Sequence, residues 1–268
     1  MNILKSIIPA TLLAISLSSC EKVIDIDLNS QNPQLVIEAN FSNADSICTV
    51  QLSKTINFSD SNTFPTVSNA VVILSDNQGH RDTLDEVNGA GLYGTNRIAG
   101  IPGLSYTLEV QAEGKTYIAN STMPQAVPLD SVYTVESLFG GPDADRLSLV
   151  PVYTDPAGLG NNYKFVVYKN GNRKKGIFIN DDAFTDGQAN AQPLFGGEFK
   201  LNTGDVATVE LQCIDAGTYL YYYSLQQVSS NGGPSGSAAP ANPVSNFSGG
   251  CLGYFNAHAS SSYTITIL

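Results

Sequence analysis

The sequence predicts an all-β protein: an N-terminal immunoglobulin-like β-sandwich followed by a second β-rich domain with one short helix. Three observations carry this reading. Short segments that alternate apolar and polar residues recur at regular spacing from residue 33 onward. Turn-forming residues separate them, drawn from 24 Gly and 13 Pro in 268 residues. Charged residues make up only 14% of the chain against 42% hydrophobic, so the polar surface must come mostly from Ser, Thr, Asn and Gln. That composition suits an extracytoplasmic β protein and rules out global disorder.

In the first region, strands are expected at 34–40 (QLVIEAN), 46–53 (SICTVQLS), 70–75 (AVVILS), 82–87, 92–96, 105–111 (SYTLEVQ) and 116–121. Asp76-Asn77-Gln78-Gly79, Asn88-Gly89-Ala90-Gly91 and Glu113-Gly114-Lys115 supply hairpin turns, because Asn and Gly tolerate the positive φ such turns require. Met123-Pro124 through Pro128 closes this domain at 33–124, since Pro cannot donate to a sheet ladder. In the second domain, 129–268, strands are expected at 131–138, 147–154, 163–169 (YKFVVYK), 200–202, 207–214 (ATVELQCI), 254–257 and 263–268, with Asn170-Gly171 as a hairpin. Residues 218–229 (TYLYYYSLQQVS) break the alternation. Leu220, Tyr221, Ser224, Leu225 and Val228 recur at helical spacing, and Asp215 or Thr218 can cap the start, although four tyrosines fit a strand equally well. Residues 231–242 (NGGPSGSAAPAN) read as a loop.

The N-terminus reads as an address. Lys5 precedes an apolar run, 7–17 (IIPATLLAISL), too short to span a bilayer, which ends in Leu17-Ser18-Ser19-Cys20. This is similar to a bacterial lipobox: residues 1–19 form the signal peptide, Cys20 becomes the lipidated N-terminus, and 20–32 form a tether. The alternatives are an ordinary secretory signal with a chance Cys, or an uncleaved anchor. Removal of 1–19 leaves 12 basic residues against 24 acidic, a net charge of −12. An acidic chain lacks the Lys/Arg patches that nucleic acid requires, so membrane attachment is expected through the N-terminal lipid alone. The acidic residues after Cys20 (EKVIDID) resemble a cell-surface export signal; a solvated tether facing the periplasm is the alternative.

No catalytic constellation is expected. The two histidines, His80 and His258, fall in a hairpin turn and near the C-terminal edge, positions that suit surface or packing roles. No G-x-S-x-G elbow and no P-loop exists. A metal centre fails on spacing, for there is no C-x-x-C, and no cofactor is implied. Of Cys48, Cys213 and Cys251, the last two are the expected disulfide, since both lie in the C-terminal half. The densest acidic cluster, 180–187 (NDDAFTDG), does not fit the EF-hand pattern and reads as a solvated loop with Phe184 tucked inward.

Taken together, 19–27 (SCEKVIDID), 33–39 (PQLVIEA), 117–124 (YIANSTMP), Asp155-Pro156 with Asn162-Tyr163, 180–188 (NDDAFTDGQ) and 242–255 (NPVSNFSGGCLGYF) resemble a Bacteroidota outer-membrane lipoprotein family, the domain of unknown function 4249. The resemblance implies no activity and no catalytic residues. It implies an accessory lipoprotein, anchored in the outer membrane, that binds a ligand for, or caps, a TonB-dependent transporter. It makes Asp181, Asp182, Phe184 and Asp186, with Asn246, Tyr254 and Phe255, the candidate binding surface. The alternative for 249–253 is that its glycines only let chains pass closely at a corner. Beside the accessory role stand a structural or adhesive surface protein and, least supported, a carboxylate-based hydrolase. Cys213 and Cys251 depart from the family's pattern, so a disulfide between them would be particular to this chain.

Overall fold

The structure, a computed structural model, describes residues 32–57, 61–136, 147–195, 199–230 and 242–268. The signal peptide, Cys20, nearly all of the tether and nearly all of the loop expected at 231–242 lie outside the described residues.

Alternation sets the first strands. β1 (Leu35–Ser42) turns Leu35, Ile37, Ala39 and Phe41 inward, and its antiparallel neighbour β2 (Cys48–Lys54) buries Cys48, Val50 and Leu52. Next come β3 (Val71–Asp76), β4 (Arg81–Thr83), β5 (Asp85–Val87), β6 (Leu92–Thr95), β7 (Ser105–Ala112) and β8 (Lys115–Thr122). The single strand expected at 82–87 is divided at Leu84, which is buried; β4 pairs with β3 in one sheet and β5 with β6 in the other. Between β7 and β8, Glu113 and Gly114 take φ of 51° and 75°, the two positive values of a two-residue hairpin.

The second region supplies β9 (Ser131–Glu136), β10 (Leu147–Thr154), β11 (Asn162–Lys169), β12 (Asn172–Arg173), β13 (Phe178–Asp181), β14 (Ala189–Asn190) and β15 (Val206–Ile214). Residues 200–202 are not a strand; Leu201 is buried among irregular neighbours. Then α1 (Ala216–Ser230) settles the tyrosine-rich segment as helix. Asp215 caps it: its Oδ1 accepts the Thr218 N–H at 2.8 Å. The buried positions are Thr218, Tyr221 and Tyr222, with Leu225 partly covered, whereas Leu220, expected on that face, is exposed. Last come β16 (Phe247–Ser248) and β17 (Leu252–Thr266), one 15-residue strand where two shorter ones were expected. Among the described residues no helix is long and apolar enough to cross a membrane.

The described strands form three sheets. The largest has nine strands in the order β12-β11-β15-β17-β1-β2-β6-β5, with β13 also paired to β11; a five-stranded sheet runs β16-β8-β7-β3-β4, and a three-stranded one β14-β10-β9. The five-stranded sheet faces β1, β2, β6 and β17 over one core, where Phe41 meets Tyr106 edge-on with centroids 4.8 Å apart. A second core gathers Val132, Leu149 and Tyr153 against Tyr163, Phe165, Val209 and Leu211.

The division into two domains near 124–129 is corrected by this topology. β17 runs parallel to β1 from Leu252 to His258 and antiparallel to β15 from Ala259 to Thr266. Phe255, Ala257 and Ala259 belong to the first core and Ile267, just past the strand, to the second, so the described residues of 33–56 and 61–268 form one compact unit. The sandwich begun at residue 35 is completed by residues from the C-terminus.

The expected Cys213–Cys251 disulfide is absent. All three described cysteines are free and buried; Cys213 lies in the second core, its Sγ accepting the Val127 N–H at 3.3 Å, while Cys251 lies in the first.

Gly253 marks how tightly β17 meets β1. Its φ is +101°, and a Cβ there would sit 1.9 Å from the Ile37 carbonyl oxygen. Gly114 shares a positive φ, +75°, with nothing within 4 Å of such a Cβ. Gly114→Ala should therefore lose about 1 kcal/mol, from backbone strain alone, and Gly253→Ala about 3 kcal/mol or more. Urea midpoints measure both, and equal losses would contradict the close approach.

Candidate functional site

The large sheet has two unlike faces. Odd-numbered residues of β11 and β15 and of β17 up to Ala259 enter the cores, and even-numbered ones among Lys164–Tyr168, Thr208–Gln212 and His258–Ser262 line a cleft of about 550 Å³ on the other side. Register brings the cleft residues together: Lys164 lies opposite Gln212 and Gln212 opposite Ser260, while Val166 lies opposite Glu210 and Glu210 opposite Ser262. β1 adds Asn40 and Ser42, the latter opposite His258, and β2 adds Thr49.

Lys164 is the centre of this face and only 5% exposed. Its Nζ donates to Gln212 Oε1 at 3.0 Å and sits 4.5 Å from the centroid of the Tyr222 ring, which α1 brings over the sheet. Tyr222 is held in turn by Tyr221 and Tyr254, with ring centroids 5.3 and 5.1 Å away. Gln212 Nε2 donates to Glu210 Oε1 at 2.8 Å, and the Tyr168 hydroxyl donates to Glu210 Oε2 at 3.2 Å. Burial pushes the Lys164 amine down to about 7, with Arg173 adding to the shift and Glu210 opposing it. His258, 3% exposed, is held well below its ordinary 6.5 by burial and then by the Lys164 charge, against the pull of Glu210. Its Nε2 lies 3.9 Å from Glu210 Oε1, but a ring kept neutral makes that a polar contact and not an ion pair.

A second cluster lies in the acidic loop. One carboxylate oxygen from each of Asp155, Asp182 and Asp186 falls within 4.8 Å of the others, with Asp155 and Asp182 buried. Oxygens so placed are the donor type that a hard divalent cation takes. Each carboxylate already accepts hydrogen bonds that close the loop. Asp182 Oδ2 accepts the Gly160 and Asn161 N–H groups at 2.7 and 2.8 Å, and Asp186 Oδ1 accepts that of Gly158 at 2.6 Å. Asp155 accepts the Gly187 N–H at 3.2 Å and the Tyr163 hydroxyl. The three carboxylates thus staple 155–161 to 181–188.

With this geometry in place, comparison with family models finds a match to a domain of unknown function (DUF4249) over residues 21–264. The chain belongs to the DUF4249 family. The match takes in the first core, all of the second but Ile265 and Ile267, the cleft and the acidic loop. No curated protein matches the chain.

In this DUF4249 member the seven residues of the expected binding surface do not share one surface. Phe184 is 94% exposed, which corrects its expected inward packing: the carboxylates of Asp155 and Asp182 occupy the inside, and the ring stays in solvent. Asp181 accepts the Tyr219 hydroxyl at 2.8 Å, and Asp186 serves the loop. Asn246 clamps the Phe255 backbone, accepting its N–H at 2.9 Å and donating to its carbonyl at 2.8 Å, while the Phe255 ring is fully buried. Tyr254 is buried beneath α1 and accepts from Asn40 Nδ2 at 3.2 Å. Cys20 lies outside the described residues.

Sequence reasoning missed Lys164, Arg173, Glu210 and Gln212, and gave His258 only a surface or packing role. The signal was present in YKFVVYK and VELQCI, where a polar residue stands between large apolar ones in strands buried on both sides.

The displaced titration of His258 has a defined sign. Its folded pKa lies below the unfolded 6.5, so the unfolded chain takes up the proton first as pH falls, and stability is lost from pH 6.5 downward. The urea midpoint should fall between pH 6.5 and ~4.5, above the carboxylate range, and His258→Gln should flatten that stretch. In the acidic loop, Asp182→Ala should cost about 1–3 kcal/mol by leaving two N–H groups without their acceptor, and Asp182→Asn less, because an amide oxygen remains. Chemical denaturation of the two variants reads the difference.

Proposed function

We propose that this protein is an outer-membrane lipoprotein, anchored through Cys20 with its β body at the cell surface, that serves a TonB-dependent transporter as a ligand-binding accessory. One observation carries the reading. The family match begins at residue 21, immediately after Leu17-Ser18-Ser19-Cys20, so the apolar leader, the lipobox-like cysteine and the family's own sequence follow one another without a gap, which supports a lipid anchor at Cys20. Membership in DUF4249 supports the same assignment through the resemblance that linked it to transporter-associated lipoproteins. The polar cleft supports the binding role, for its side chains come from strands that the two cores hold rigid.

Anchoring is tested by Cys20→Ser. The parent chain should partition into the detergent phase and the variant into the aqueous phase; equal partitioning would remove the lipid anchor from the reading. Protease applied to intact cells should degrade the body at the surface, and protection until the outer membrane is opened would place it on the periplasmic face. Pull-down from detergent-solubilised membranes should recover an outer-membrane transporter barrel, and recovery without one would sink the accessory role.

A further inference from the structure

We propose that the cleft over the nine-stranded sheet binds a small organic carboxylate that also carries hydroxyl or amide groups, its carboxylate held between Lys164 and Arg173. The proposal deepens the reading of the protein as a ligand-binding accessory and names the chemistry of its ligand. It begins with unmet positive charge. An ammonium has three N–H donors. At Lys164 one goes to the neutral Gln212 amide, and the Tyr222 ring face lies 4.5 Å away. No carboxylate lies within ion-pair distance of Lys164 among the described residues, although the side chain is nearly out of contact with water. A buried cation without a counter-charge is costly, and an anion entering the cleft that Lys164 lines removes that cost.

Arg173 lies on the same cleft, exposed, and forms no ion pair among the described residues. Its planar fork suits a carboxylate. Both cations line the one cleft, and the Arg173 charge adds to the burial that disfavours the charged amine of Lys164. Two carboxylates, Asp45 and Glu210, also line the cleft, and neither lies within ion-pair distance of Lys164 or Arg173. The Glu210 oxygens accept from Gln212 Nε2 and the Tyr168 hydroxyl, neutral donors on either side. The remaining lining explains the ligand's other groups. Asn40, Thr208, Ser260 and Ser262 present amide and hydroxyl groups, which pair with hydroxyls or amides and not with apolar surface. Beside them, Asn256 Oδ1 is fully buried and accepts no hydrogen bond among the described residues.

Lys164 faces Gln212 and Glu210 from β15, His258 from β17, Arg173 from β12 and Tyr222 from α1. With the amine at about 7, a bound carboxylate favours its charged form, and binding takes up a proton above neutrality. Affinity should accordingly fall by up to about tenfold per pH unit between pH 7 and 9.

The test uses the full lipoprotein in detergent and titrates three acids against their uncharged amides: glucuronate with glucuronamide, lactate with lactamide, and N-acetylglycine with its amide. Calorimetry or ligand-observed NMR should show at least one acid bound at least tenfold more tightly than its amide. Arg173→Gln, at an exposed position where folding is not at stake, should weaken that acid about fivefold or more. Lys164→Met should weaken it at least tenfold and abolish its pH dependence, with an unchanged or higher urea midpoint confirming a folded chain. Acids and amides binding alike, none of the six binding, indifference to Arg173→Gln, or a preference for ethanolamine that points to Glu210 instead would each overturn the proposal. Acid binding without a co-purifying transporter leaves the cleft assignment standing and sinks the accessory role; the converse sinks only the cleft assignment.

Discussion

The parallel contact between the first and last strands is the constraint on which the rest depends. β17 lies so close to β1 that position 253 has no room for a side chain, and seven consecutive residue pairs run from Val36–Leu252 to Ser42–His258. Without that ladder the first core loses Phe255, Ala257 and Ala259, and the second loses the strand that borders β15. Two cores that look separable along the chain are therefore joined by fifteen residues at its end. Helix α1 depends on the same strand, since Tyr221 and Tyr222 pack on Tyr254 and the Thr218 hydroxyl donates to the Phe255 carbonyl at 3.2 Å.

That arrangement also creates the cleft. A sheet with a core under both halves of one face leaves its other face free to carry polar side chains, and the period of two sorts residues between them without compromise. Lys164 shows the result: its neighbours Tyr163 and Phe165 fill the second core while it is itself buried on the opposite side, beneath a tyrosine ring. Burial there comes from the helix and not from the core. The depressed amine follows from that burial, and the Lys164 charge adds to the burial that keeps the His258 imidazole neutral.

Much of the fold was legible because its signals are local. Alternation located β1, β3 and β7 to within a residue or two, and Asn170-Gly171 turns where Asn-Gly should, with φ of 51° and 77°. The β1–β17 pairing was not legible, because nothing in LVIEANFS or LGYFNAH says which distant segment each will border. The same limit hid the cleft: each polar residue in β11, β15 and β17 is visible alone, but only the sheet order places them side by side. Phe184 was misread because an apolar residue among carboxylates suggests an inward ring, whereas the carboxylates had backbone N–H groups to serve inside the loop. The cysteines misled in the same way, since nearness along the chain does not decide which core a side chain enters.

The partners Asn40 and Asn256 stand 216 residues apart. A chain that emerges N-terminus first must hold β1 and β2 with one edge unpaired until almost every other residue has appeared. Contacts of such high order make for slow folding, and an exposed edge in the meantime invites pairing with the wrong strand. The free edge of β1 carries alternate residues of little aggregation risk, Glu38, Asn40 and Ser42, between its apolar ones. Loss of the chain from Leu252 onward would leave that edge open permanently, so the integrity of the whole body is reported by its final strand.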